Sequence, residues 1–298
     1  MILITGATGF VGPRVVHALR AEGRPVRALV RDEAAGEQLR NLGCETVVGD
    51  VTDPASLRPA VEGCDVVVHL VALLTGKPED FERVMSQGTR DLVAAAREAG
   101  VRRFILMSAL GTDERTKELV PYYRAKWEME QTVKASGLEY VIFRPSFVFG
   151  PDGGALAQFR RIAKLAPVTP IVGPGTQRIQ PIWIDDVAGY FAAAVDKPEA
   201  ANRTFELGGP DTVTWNEFWS RLKQALGTRR PSIHLPFGLM RVQALVLERL
   251  PNPPVTRDQL TMLEVGDNVV SNTDAVDTFR LPLVPLDEQL RSSCASGR

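Results

Sequence analysis

Between residues 2 and 150 the chain repeats one arrangement, a short apolar run followed by a segment whose apolar residues fall at helical spacing. The runs are "MILIT", "VRALV", "ETVVGD", "DVVVHLVA", "RRFILMSAL" and "EYVIFRPSFVFG". Runs of this kind, without strict polar alternation, suit strands buried on both faces. Strands separated by helices need crossover connections, and crossovers make neighbouring strands parallel. The pattern therefore predicts an α/β fold on a doubly wound, mostly parallel sheet. The helical segments carry their own punctuation. Val15, Val16 and Leu19 keep helical spacing until Gly23, and Asp53 followed by Pro54 reads as an N-cap and first-turn proline. Longer helices are predicted from Glu79 to Ala99 and from Tyr122 to Ser136.

After Gly150 the alternation stops. "GPDGG" is a glycine-rich loop, and strands such as "RTFELGG" then mix with capped helices. Thr214 with Glu217, and Thr256 with Gln259, have capping-box spacing. The expected organisation is a doubly wound α/β domain over 1–150, with 182–205 packing back on it. A smaller C-terminal α+β region, 151–181 and 206–298, would cover the substrate, and "SSCASGR" reads as a frayed tail. A chain of 298 residues, 44% hydrophobic, can bury a large core. Its formal net charge of −1 gives no reason to expect nucleic acid or an anionic membrane as the main partner, which leaves a small-molecule substrate or another protein. Cys44, Cys64 and Cys294 lack paired or metal-type spacing, so free thiols, a reducing compartment and a cytoplasmic location are expected, with no metal. "VVVHLVALL" is too short to span a bilayer, and a strand starting at residue 2 leaves no room for a signal peptide. Peripheral association with a membrane complex stays open, as does the choice between monomer and homodimer.

The first strand runs directly into Gly6, Gly9 and Gly12 and then into a helix. A glycine turn there lets the backbone approach a pyrophosphate, with the helix N–H groups and dipole aimed at the anion. The second strand ends on "VRD". An acid there suits the ribose diol of NAD, an arginine the 2′-phosphate of NADP, and both Arg31 and Asp32 are present. Because a guanidinium can stack on adenine and pair with phosphate, NADP is favoured over NAD. Asp50 in "GDV" would accept from the adenine amino group, although an Asx turn explains it almost as well.

In "YYRAK", Tyr122 and Lys126 lie four residues apart on one face of a predicted helix. An ammonium near a phenol lowers its pKa toward the working range of a proton donor. With these residues in place, the chain resembles the short-chain dehydrogenase/reductase superfamily in its extended and atypical branches. "TGATGFVG", "GDVTD", "GTRDLVAAAREAGVRRFILMSALG", "YYRAK", "FRPSFVFGPDGG", "PIWIDDVA" and "FELGGP" fall in family order. "LPNPPVTRDQLTMLEVGDNVV" looks like the subgroup that includes the NADPH-binding accessory subunit of respiratory complex I and bacterial epimerase/dehydratase relatives. The resemblance implies a Rossmann fold. It implies that Thr8, Phe10 and Val11 join the three glycines in the cofactor turn, and that Asp50 and Val51 follow. Leu70, Val71 and Ala72 would line the cleft, Pro145, Ser146 and Phe147 would flank the nicotinamide, and Tyr122 and Lys126 would carry the chemistry.

Two positions depart from the family pattern. Ser108, the candidate third catalytic member, comes one position early, with Ala109 in the expected place, and Met85 stands where extended members commonly carry asparagine. Asp185 and Asp186 read as helix-capping acids, and His69 as a hydrogen-bonded core residue apart from the dispersed His17 and His234. Two functions follow. One is an NADP-dependent oxidoreductase or epimerase-like enzyme, with Tyr122 as proton donor and Phe147, Phe149 and Trp183 walling an apolar pocket. The other is a non-catalytic NADPH-binding accessory or sensor protein that docks on a larger assembly.

Overall fold

A computed structural model of the protein describes residues 1–248 and 255–295. The chain divides into two units, the first made of Met1–Pro145, Ile184–Leu207 and Asn272–Pro282. Its strands β1 (Ile2–Thr5), β2 (Val26–Val30), β3 (Glu45–Val48), β4 (Val66–His69), β5 (Arg103–Met107) and β6 (Glu139–Pro145) alternate with helices. The helices are α1 (Gly12–Ala21), α2 (Glu33–Asn41), α3 (Pro54–Val61), α4 (Pro78–Phe81), α5 (Gly88–Glu98) and α6 (Pro121–Lys134). Across the sheet the order is Arg203–Leu207, β6, β5, β4, β1, β2, β3, and every pair is parallel. Leu3, Ile4, Val67, Val68, Phe104 and Ile105 are fully buried, as expected of central strands covered on both faces. Strand order reverses between β1 and β4. That switch point opens a crevice at the carboxyl ends of the two strands.

The sheet has seven strands where the apolar runs indicated six, because Arg203–Leu207 pairs with β6 from Arg203 opposite Val141 to Leu207 opposite Pro145. Residues 206–207 and 272–282, assigned from sequence to the smaller region, fall in this first unit. Aromatic packing explains the placement, since Phe143 meets Phe191, Phe205 and Phe279 at ring distances of 4.9, 5.9 and 5.7 Å. The predicted 79–99 helix forms with a wide turn inside it, since Glu82–Gln87 is π-helical between α4 and α5. Asp53 caps α3 by accepting from the Ala55 N–H.

The second unit comprises Ser146–Trp183, Gly208–Ser271 and Leu283–Arg298. "EYVIFRPSFVFG" is not one strand. β6 stops at Pro145, and Val148–Phe149 pairs instead with Ile182–Trp183, fastened by the Ser146 hydroxyl donating to the Gln180 carbonyl. Thr169–Val172 pairs with Ser232–Leu235 and Arg178–Ile179 with Val213–Thr214, and the unit also carries helices Gly154–Leu165, Trp215–Ala225, Phe237–Leu247, Arg257–Glu264 and Leu286–Ala295. Both capping boxes form, with Thr214 and Glu217, and Thr256 and Gln259, exchanging side-chain and backbone bonds. Part of the tail read as frayed is helical up to Ala295, while 296–298, like residues 250–254 of the "LPNPPV" stretch, lie outside the described residues. Cys44, Cys64 and Cys294 are free thiols. No helix among the described residues is long and apolar enough to cross a membrane.

Candidate functional site

The three glycines at the end of β1 do three different jobs. Gly6 takes φ +76°, and a Cβ there would lie 3.0 Å from the Leu70 carbonyl carbon and the Val71 nitrogen. Gly12 lets α1 close on the turn, since a Cβ would meet the Gly6 oxygen at 2.3 Å and Ala7 at 2.5 Å. Gly9 is exposed, and only the Gly6 oxygen, at 3.2 Å, lies within reach of a Cβ. The space in front of Gly9 is therefore the place a ligand can approach backbone. Behind it, α1 starts at Gly12 with no side-chain cap and no acid in its first turn, so nothing offsets the positive end of its dipole, while Pro13 carries no N–H and the Arg14 and Val15 amides donate to the Val11 carbonyl. Thr8 and Phe10 are exposed and Val11 is buried. This cradle fits a dinucleotide pyrophosphate.

At the end of β2, Arg31 and Asp32 separate cleanly. Asp32 is the N-cap of α2, its Oδ1 accepting from the Ala35 N–H at 2.8 Å. Arg31 is exposed and pairs with nothing among the described residues. Asp50 folds back on itself, its Oδ1 accepting from both the amide and the hydroxyl of Thr52 at 2.8 Å, so the Asx turn is present. Val51 is buried against Gly88.

Leu70, Val71 and Ala72 leave β4 beside the glycine turn, with the Leu70 amide donating to the Thr5 carbonyl at 3.0 Å. Met85, the departure from asparagine, sits in the π-helical turn with its Sδ accepting from the Leu73 amide at 3.3 Å. Through its sulfur it ties down the segment after β4. His69 is a core residue. Thr89 gives its hydroxyl proton to the Met85 carbonyl, so its oxygen accepts from His69 Nε2, and Nδ1 accepts from Thr5 at 2.6 Å. Full burial, with the Lys126 charge nearby, pushes this imidazole down to about 3 and keeps it neutral.

α6 carries Tyr122 and Lys126 on one face, with the Lys126 Nζ 5.9 Å from the Tyr122 ring centre. Lys126 is 1% exposed and donates to the Met107 carbonyl at the end of β5 at 2.7 Å. Burial pushes its pKa down from 10.5 to about 7, against the opposing pull of Glu130. Tyr122 stacks edge-on to Phe81, and its hydroxyl makes no hydrogen bond among the described residues. Contrary to the expectation from spacing alone, the phenol is held above its ordinary 10, by burial and by Tyr123, because Lys126 spends its charge on a carbonyl.

Ser108 is not directed at Tyr122. It is 2% exposed and donates to Glu130 Oε1 at 2.6 Å. Glu130 is fully buried and also accepts two bonds from Arg144 at 2.7 Å and one from Lys134 at 3.1 Å. Burial raises this carboxyl, and the bonds from Arg144 and Ser108 more than offset it, holding it low. The one sequence signal for Glu130 is its place four residues after Lys126 along α6. In the first unit Asp185 lies in the first turn of helix Ile184–Ala193 and pairs with Arg14 at 3.4 Å, where an acid complements the helix dipole. Pro145 closes β6, whereas Ser146 and Phe147 open the second unit, where Phe147 stacks on Trp215 at 5.5 Å. Phe149, expected to wall a pocket, is fully buried against Phe218, and Trp183 is 6% exposed, so both are packing residues.

The sequence model of the NAD(P)H-binding family matches residues 6–169, more than half of the chain. The chain belongs to that family. It is similar to a ceramide reductase from Caulobacter vibrioides, 32% identical over 83% of this chain and 77% of the relative. It is similar as well to subunit 9 of the NADH dehydrogenase [ubiquinone] 1 alpha subcomplex of Arabidopsis thaliana, 28% identical over 95% of this chain and 73% of the relative. Among solved structures, an NADPH-dependent quinone oxidoreductase from Escherichia coli complexed with NADPH superposes with a TM-score of 0.78. That match covers 97% of this chain and 98% of the other at 22% identity, a likeness of fold. Family and fold together are of the extended short-chain dehydrogenase/reductase type, an NAD(P)-binding oxidoreductase family.

Proposed function

We propose that the chain is an NADPH-dependent reductase of a small carbonyl compound, with Tyr122 as proton donor. The observation that carries this reading is the Tyr122 hydroxyl, left without a partner one helical turn from the buried Lys126. NADPH, when bound, supplies the hydride that reaches the carbonyl carbon. Tyr122 gives its proton to the carbonyl oxygen, which leaves an alcohol, and the phenolate regains a proton from solvent. A phenol held above its ordinary pKa is protonated at neutral pH, which suits donation and therefore reduction. Lys126, anchored by Met107, has further N–H groups for the nicotinamide ribose and for the developing phenolate. Gly6, Thr8, Gly9, Phe10, Val11 and Gly12 hold the pyrophosphate, while Asp50, Val51, Leu70, Val71 and Ala72 border the nucleoside. Arg31 selects the 2′-phosphate, a reading supported by its freedom and by the employment of Asp32 as a cap. Three free thiols support a reducing compartment, the cytoplasm.

A second reading, an accessory subunit that holds NADPH without turning it over, is favoured by the Ser108 hydroxyl being held by Glu130 and by likeness to a respiratory-complex subunit. NADPH oxidation by the full chain with a panel of aldehydes, ketones and quinones separates the two. On the reductase reading Tyr122→Phe keeps the NADPH dissociation constant and lowers turnover roughly a hundredfold or more. A panel without turnover, together with a silent Tyr122→Phe, gives the accessory reading.

A further inference from the structure

The chain's near-zero net charge conceals a segregation. Residues 153–183 and 218–247 contain no aspartate or glutamate, yet carry Arg160, Arg161, Lys164 and Arg178 in the first stretch and Arg221, Lys223, Arg229, Arg230 and Arg241 in the second. The fold of the second unit joins the two stretches, because Thr169–Val172 and Ser232–Leu235 form one parallel pair and Arg230 donates to the Ala166 carbonyl. Acids from elsewhere match some of these cations, Asp267 at Arg178, Asp287 at Arg221 and Glu264 at Arg241. Arg161, Lys164 and Arg229 are exposed and meet no acid among the described residues.

The same part of the unit displays aliphatic side chains. Helix Phe237–Leu247 seats Met240 and Ala244 against Leu260, while Leu239, Val242 and Leu245, three residues apart along its outer side, are 57%, 65% and 48% exposed. Ile233 on the neighbouring strand is 39% exposed, and Leu165, beside Lys164, is 69% exposed. Strand Ser232–Leu235 joins the Arg229–Arg230 pair at one end to the apolar helix at the other, a span of roughly 20 Å. A shallow hollow of about 330 Å³ on helix Gly154–Leu165 repeats the combination, lined by Ala157 and Leu165 with Arg160, Arg161 and Lys164.

We infer that this face of the second unit docks on an anionic lipid surface, helix Phe237–Leu247 lying in the interface with Leu239, Val242 and Leu245 inserted and Arg161, Lys164 and Arg229 on the headgroups. Aliphatic insertion beside unpaired cations is the chemistry by which interfacial helices bind anionic bilayers. Protein hot spots rely instead on tryptophan, tyrosine and arginine, with leucine and valine under-represented, and Trp215 and Trp219 here are buried. The long cationic side chains can lay their methylenes on the apolar surface while the charges stay at headgroup level.

The test is co-sedimentation of the full chain with phosphatidylcholine vesicles and with vesicles in which about a third of the lipid is phosphatidylglycerol. Binding is expected to the anionic vesicles only, and to fall steeply at roughly 1 M salt, where screening shortens to about 3 Å. Arg161→Glu with Arg229→Glu is expected to weaken it more than roughly twenty-fold, since each neutralised cation alone is worth about fivefold. Leu239→Ser with Val242→Ser is expected to abolish what remains at high salt. Retained NADPH affinity and helical circular dichroism certify that each variant is folded, and Lys164→Gln gives a milder third probe if either double variant is not. Equal sedimentation with both kinds of vesicle, or none with either, overturns the proposal. So does self-association without lipid that Leu239→Ser abolishes, which would make the face an interface between copies, and so does vesicle binding that the charge variants leave unchanged.

Discussion

Ser108 gives its hydroxyl proton to Glu130, 2.6 Å away, and Arg144 grips the same carboxylate through two bonds of 2.7 Å. The serine that sits one position early in the sequence is thus part of a buried ion-pair network that joins the end of β5 to α6 and β6. Its removal should be felt in stability first. Ser108→Ala is expected to cost roughly 1.5 to 3 kcal/mol, the worth of a hydrogen bond to a charged group. Turnover of any substrate found should stay within about threefold, far from the loss that follows removal of a general acid. Denaturant unfolding and steady-state rates on one preparation check both. A hundredfold loss of turnover with unchanged stability would return Ser108 to the catalytic set.

The pair at the end of β2 makes a two-sided prediction. Arg31→Ala should erase a preference for NADPH over NADH of roughly tenfold to a hundredfold, corresponding to about 1.5 to 3 kcal/mol for a charge-assisted pair. Asp32→Ala should leave that ratio alone and cost about 1 kcal/mol of stability, because its carboxylate caps α2. Calorimetric titration with both nucleotides gives the ratio. A ratio that moves with Asp32 and not with Arg31 would mean that the acid, not the arginine, reads the ribose.

How much of this was legible beforehand depended on the range of the interaction concerned. The glycine turn, the Asp53 cap and both capping boxes are set by residues within a few positions of one another, so spacing reveals them. Arg203–Leu207 joins the sheet only because its backbone pairs with β6, far away in sequence, and the composition of "RTFEL" does not say which neighbour it will have. "EYVIFRPSFVFG" reads as one strand because its apolar residues are continuous, but Ser146 bonding to Gln180 turns the chain out of the sheet. The helical spacing of Tyr122 and Lys126 was visible; the Met107 carbonyl that claims the lysine comes from another strand, and with it went the expected lowering of the phenol.

Gly9 and Gly12 look alike in the sequence and should fail differently. Gly9→Val brings its Cβ to a tight 3.2 Å from the Gly6 oxygen and its methyls into the space before the turn, so NADPH binding should vanish while helical circular dichroism stays close to that of the parent and the unfolding midpoint falls less than in Gly12→Ala. Gly12→Ala puts a methyl 2.3 Å from the Gly6 oxygen, a contact that forces α1 away from the turn. Lower stability, together with weaker binding, is expected. Two variants with the same profile would show that the turn does not divide its glycines in this way.

Lys126 supplies a pH signature of its own. Burial pushes its folded pKa down to about 7, while the unfolded chain keeps the proton up to the ordinary 10.5. Between these values the unfolded state binds more protons, so this residue makes stability rise with pH, by up to about 1.4 kcal/mol per unit. Below about 7 both states are protonated and the slope disappears, leaving the full penalty of a buried ammonium. Lys126→Met removes the titration and, with it, the bond to Met107, which adds an offset independent of pH. Other groups titrate in both proteins, including the buried Cys44 and Cys64 thiols, which burial pushes up, and they cancel in the difference. Urea unfolding of parent and variant between about pH 7 and 9.5 should therefore show the stability of the parent gaining on that of the variant as pH rises. A difference that stays constant across the window would mean that the ammonium is solvated. The lysine could then neither lose its proton near neutrality nor hold a fixed position beside Tyr122.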